Sequence, residues 1–167
     1  MFVLAVDNPA VPSLSFFIFG GLAGVTWTMV ATLVPIALLG VAILWWLGPG
    51  LDVLSLGEQT STHLGFDATT RVPVALGLIG LIVGASVAIA GVIGFVGLIV
   101  PLLVRPLVGA THRLSIPASA LAGAILLVLI DTASRTVAAP VEIPIGLLSA
   151  AIGGPVLIWL VRTEMFR

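Results

Sequence analysis

Where the charges are absent constrains this chain most. Between Asp7 and Asp52 lie 44 consecutive uncharged residues, between Arg71 and Arg105 33, between Arg113 and Asp131 17, and between Glu142 and Arg162 19. A bilayer core about 30 Å thick is crossed by roughly 20 apolar helical residues. The runs are therefore read as membrane-spanning helices. Strands of an outer-membrane barrel would alternate apolar and polar residues over about ten positions, whereas these runs are apolar on every face. Composition agrees: 60% of the 167 residues are hydrophobic and 8% charged, against about 25% charged in a soluble domain. A soluble globular domain and a disordered chain are both excluded. The net charge of −1 leaves no basic face for nucleic acid. Cysteine is absent, which removes disulfides, thiolate metal sites and cysteine nucleophiles. Lysine is absent too, and a P-loop needs one to reach the phosphates.

The first span is expected at about Leu22–Leu47, with Trp27 near one end and Trp45 and Trp46 near the other. That separation is about 28 Å of helix, which fits two interfacial aromatic belts. Pro35 should kink it. The 33-residue run is long for one crossing and short for two. Two crossings put Arg71, Arg105, Arg113, Arg162 and Arg167 on one side and Arg135 alone opposite; a single crossing splits the arginines four against two. Cytoplasmic loops collect Lys and Arg, which favours two crossings, at about Val72–Ala90 and Val92–Val104, with a tight reversal near Ala90–Gly91. The last two spans are expected at Ser115–Thr136 and Ile145–Val161. The predicted fold class is an all-α polytopic membrane protein of about five transmembrane helices, forming one transmembrane domain over residues 1–167. The amino terminus is then outside. Gly48–Arg71, Arg105–Ile116 and the tail from Arg162 are cytoplasmic, and Val137–Pro144 is on the outer side. No Lys or Arg precedes Arg71, so the start lacks the positive region of a signal peptide. An odd number of spans with an external start leads to the expectation that something is missing upstream.

Gly48–Arg71 is the long polar stretch. Ser55 and Glu58 have the spacing of a capping box. About two helical turns should follow to Leu64, with Gly65 at a helix-ending position and Asp67 capping the next start. A short helix, a glycine break and a second short helix make a compact elbow over residues 54–70. It reads either as a handle for a soluble partner or as a tidy connector on the membrane surface.

At these residues the chain resembles the FecCD-type permeases. The resemblance rests on Leu56-Gly57-Glu58 with Leu64-Gly65, and on Gly94-Phe95-Val96-Gly97-Leu98 running to Pro101 and Arg105. It continues through His112-Arg113 with Pro117, Asp131 with Arg135, and Glu142-Ile143-Pro144-Ile145-Gly146 followed by Gly153 and Pro155. These pieces occur in order from about Phe17 to the carboxyl terminus. The family comprises membrane subunits of ABC importers for ferric siderophores, haem and cobalamin, usually with ten spans. The chain is similar to the second half of such a permease. The expectation is a start lying upstream, a gene fragment, or a separate chain supplying the rest.

The resemblance implies an iron-transport role in a bacterial inner membrane. It implies no enzymatic activity and no cofactor in this chain, because ATP is split on a separate ABC ATPase. Further implied partners are a periplasmic or lipoprotein substrate-binding protein and a second permease subunit. The ATPase-coupling loop falls on Ser55, Leu56, Gly57, Glu58, Leu64, Gly65 and Asp67. Binding-protein docking falls on Arg135, with Glu142 as a further candidate; the other reading of Arg135 is an i,i+4 pair with Asp131. Gly91, Gly94, Phe95, Gly97 and Pro101 are assigned to helix packing or the pathway. Those glycines fit close packing or a tight reversal better than a nucleotide loop, and Gly77, Gly80 and Gly84 read as small-residue packing. Two positions depart from the family pattern. Leu102 stands where histidine is usual, and Thr111 where aspartate often precedes the His-Arg pair. His63 and His112 lack the neighbours of a metal site. An intramembrane enzyme and an ATP-independent channel or secondary transporter are the competing classes. The substrate is not encoded in these motifs.

Overall fold

The computed structural model describes residues 20–22, 24–55, 57, 61, 63–64, 68–109, 111–137 and 143–165. Among them are five α-helices: α1 Trp27–Leu54, α2 Ala68–Ala90, α3 Val96–Val108, α4 His112–Thr136 and α5 Ile145–Met165. Helices are what such runs must form, since lipid offers backbone groups no partner and each segment has to satisfy its own. Helices α1, α2 and α4 are long and apolar enough to cross a membrane. The 28 residues of α1 reach about 42 Å, more than the hydrocarbon core requires.

Neighbouring helices alternate in direction. At one end of α1, the Gly21 N–H donates to Ala90 C=O at 2.8 Å, and further along, Gly40 faces Ile82 of α2. At the other end, Asp52 meets His112, the first residue of α4. A three-residue link, 109–111, turns α3 into α4, and Val100 of α3 touches Gly123 of α4. Ile143 N–H reaches Ser134 C=O at 3.5 Å, so α5 begins where α4 ends. The bundle therefore has two polar ends. Among the described residues, Arg71, Arg105, Arg113 and Arg162 belong to the end with Asp52 and His112, and Arg135 to the end with Trp27. The sides are covered with exposed Leu, Ile and Val; Leu38, Leu121 and Val128 are each about two-thirds exposed. The interior is a thin seam that includes Ile99, Val100, Ile130 and Ile145. Apolar exposure on this scale suits a lipid surround rather than water.

The reversal expected near Ala90–Gly91 is present. Gly91 has φ +70, and its N–H bonds Val87 C=O at 2.9 Å, as a left-handed glycine ending a helix does. Helix α3 starts at Val96 rather than Val92, because residues 91–95 carry no regular structure. Its 13 residues reach only about 20 Å, less than a full crossing, and the irregular stretch 91–95 precedes it. That stretch is screened by the chain at Gly20, where an added Cβ would meet Val92 C=O at 2.6 Å. Helix α1 runs to Leu54 rather than Leu47, crossing Pro35 and Pro49 as one element. Each proline removes one helical hydrogen bond, and neither ends the helix. Helix α4 starts at His112, three residues before the expected Ser115, and α5 continues past the expected Val161 to Met165.

Candidate functional site at the polar end of the bundle

The start of α4 is gripped by one face of α1. Trp45, Gly48 and Asp52 are spaced i, i+3, i+7, which aligns them on a helix. Asp52 Oδ1 accepts the His112 backbone N–H at 2.9 Å and lies 2.5 Å from His112 Nδ1. An ionised carboxylate can only accept, so that ring nitrogen is assigned the proton. Trp45 donates its indole N–H to Arg113 C=O at 2.9 Å, and the Arg113 guanidinium sits 5.4 Å from the Trp45 ring centre. Between these contacts, an added Cβ on Gly48 would stand 3.4 Å from Arg113 N and His112 Cβ. A larger side chain there would hold the helices apart. This constellation was missed in the sequence. Pro117, four residues after Arg113, was the available signal, because it leaves Arg113 C=O without a helical donor.

The loop expected to contact an ATPase leaves directly from this grip. Ser55 closes α1, and its hydroxyl donates to Asp52 C=O at 2.6 Å. That differs from the expected role of Ser55 as an amino-terminal cap: the final carbonyls of a helix lack donors, and this hydroxyl serves one. Gly57 has φ +106 and donates to Leu54 C=O at 3.0 Å, so the chain breaks at Gly57. Ser61 is buried, and His63 and Leu64 are exposed. Leu56, Glu58, Gly65 and Asp67 lie outside the described residues, and with them the expected capping box and second break.

At the opposite end, Arg135 makes a two-pronged pair with Asp131: Nε to Oδ2 at 3.0 Å and a terminal nitrogen to Oδ1 at 3.1 Å. The i,i+4 reading is therefore present, with Arg135 still about half exposed. Glu142 lies outside the described residues.

The glycines assigned to packing divide. Among the described residues, a Cβ on Gly94 or Gly97 would meet nothing within 4 Å, and the same holds for Gly77, Gly80 and Gly84. Close packing instead uses Gly153, where a Cβ would lie 2.6 Å from Phe95 Cβ. Phe95 itself is left-handed at φ +66, and Val96 N–H bonds Gly94 C=O at 2.8 Å. This γ-turn with positive φ is rare and strained in a bulky residue. Gly97 and Pro101 line an apolar cleft of about 420 Å³ bounded by α1, α2, α3 and α4. Ser119 also lines it, and its hydroxyl is buried without a hydrogen-bond partner. Among the described residues no three His, Cys, Asp or Glu side chains converge as metal ligands.

Comparison with known proteins gives consistent matches. The family model described as the FecCD transport family matches residues 1–163. The iron(3+)-hydroxamate import system permease protein FhuB of Bacillus subtilis is 38% identical over 161 residues, covering 96% of this chain and 42% of that protein. The hemin transport system permease protein HmuU of Yersinia pestis is 44% identical over 114 residues, covering 68% and 34%. The vitamin B12 import system permease protein BtuC of Vibrio cholerae is 42% identical, covering 92% and 46%. Among solved structures, an ABC transporter described as of metal-chelate type, in an inward-facing conformation, superposes with a TM-score of 0.88 at 36% identity. That match covers 94% of this chain and 51% of the other. The chain thus spans about half or less of each relative's length.

Proposed function

The chain belongs to the FecCD transport family, and from that premise we propose that it is a permease component of an ABC importer. In this reading it conducts an iron-siderophore or a related chelate, such as haem or cobalamin, across a bacterial cytoplasmic membrane. ATP hydrolysis on a separate subunit drives it. The observation that carries the reading is the polar loop between α1 and α2. It leaves the bundle at the end that holds four of the five described arginines, which the lysine and arginine bias assigns to the cytoplasm. An ATPase would contact the loop over residues 54–70. Closure of its nucleotide-binding dimer would move the loop and tilt the spans, turning an outward-facing cavity inward. A substrate-binding protein would dock at the Arg135 end. A second permease subunit, together with the helices that relatives carry beyond this length, would complete the cavity.

Glu58→Pro tests the reading, because proline cannot serve inside the expected loop helix. In membranes containing the ATPase and binding protein, uptake of labelled ferric hydroxamate, haem or cobalamin should be lost while ATP hydrolysis continues. Normal uptake by that variant would count against the loop as the coupling element.

A further inference from the structure

Two backbone groups at the start of α4 lack the regular partner within their own helix. The His112 N–H lies in the first turn, where no preceding carbonyl can accept it, and Thr111 at the cap position makes no side-chain bond. Arg113 C=O faces the missing donor of Pro117. Both groups are satisfied by α1, through Asp52 and Trp45. A cap from the same helix works wherever that helix sits. One supplied by another helix exists only while the two hold a single relative position. Asp52 is also tied to the loop, since its carbonyl accepts from Ser55 at 2.6 Å.

We propose that Trp45, Gly48 and Asp52 are positioning residues that fasten α4 to the base of the 54–70 loop, so that a displacement of the loop moves α4 with it. The proposal builds on the loop as the ATPase contact, but its test needs no ATPase.

The chain contains no cysteine, so Leu64→Cys and Leu121→Cys, both exposed sites, can carry the only two nitroxide labels. Electron–electron double resonance in lipid nanodiscs then reads the distance between loop and α4, and hydrogen exchange reads the α4 start. The parent chain should give one narrow distance distribution. Asp52→Ala should broaden it and speed exchange of the His112 amide roughly fivefold, the size of a lost cap. Adding Thr111→Asp to Asp52→Ala supplies a cap from within α4, whose carboxylate reaches the Arg113 and Leu114 amides. Exchange of those two amides should slow while the distribution stays broad. Trp45→Phe, which keeps the ring and loses the N–H, should broaden the distribution with His112 exchange unchanged. It decides the matter alone if Asp52→Ala does not fold. An unbroadened distribution in Asp52→Ala or Trp45→Phe overturns the proposal. So does narrowing on addition of Thr111→Asp, which would make Asp52 a helix cap and nothing more. None of these outcomes touches the importer reading, which fails only if the loop meets no ATPase.

Discussion

Gly153→Ala against its neighbour Gly154→Ala isolates the contact that sets α5 against α3. An alanine Cβ at Gly153 would lie 2.6 Å from Phe95 Cβ, 2.9 Å from Ile99 Cδ1 and 3.0 Å from Phe95 Cγ. Ordinary carbon contacts are about 3.5–4.0 Å, so the shortfall is close to 1 Å. Ile99 Cδ1 ends a flexible chain and can turn aside. Phe95 Cβ cannot, because it is one bond from a backbone held at φ +66. Helix α5 must therefore move, and overpacking of this kind costs about 1–3 kcal/mol. A Cβ on Gly154 would meet nothing within 4 Å among the described residues. Both substitutions gain helix propensity, up to about 1 kcal/mol, and that gain cancels in their difference. In detergent or nanodisc melts, Gly154→Ala should unfold at or above the parent temperature. Gly153→Ala should fall below Gly154→Ala by about 1–3 kcal/mol, or roughly 2–12 °C for a chain of this size. Equal melting, within about 0.5 kcal/mol, would refute the close approach of α5 to Phe95.

Two further outcomes follow from particular side chains. Phe95→Gly should be more stable than Phe95→Ala by about 1 kcal/mol, the reverse of their usual order, because only glycine accepts positive φ without strain; thermal melts showing alanine ahead would contradict the γ-turn. Under the proposed docking role of Arg135, Arg135→Glu should weaken binding of a substrate-binding protein to the nanodisc-held chain roughly tenfold. Unchanged affinity would reduce Arg135 to its pair with Asp131.

The number and order of the helices were legible because charge-free runs of this length leave lipid as the only surround, and lipid leaves helix as the only backbone solution. Helix boundaries were legible where they depend on local residues. The reversal at Gly91 is one such case, since a left-handed glycine ends α2 by itself. They were illegible where the cause lies on another element. Helix α4 begins early because Asp52, 60 residues back, caps it, and no window around His112 contains that aspartate. Helix α3 begins late because Phe95 is held left-handed against α5, which a local reading of Gly94–Gly97 has no means to register. The site divided the same way. Arg135 with Asp131 was visible as an i,i+4 spacing, whereas Ser55, expected to start the helix after it, closes the helix before it. Trp45 was read as a belt residue by its position in the run. Its second task, donating to Arg113 C=O, follows only once Pro117 and Trp45 are known to meet.

The loop's side of the membrane decides the central claim most directly. With a single cysteine at Leu64 in the otherwise cysteine-free chain, a membrane-impermeant maleimide should leave intact cells unlabelled. It should label inverted membrane vesicles fully. Labelling from outside intact cells would place the loop where no ATPase can reach it and contradict the permease reading.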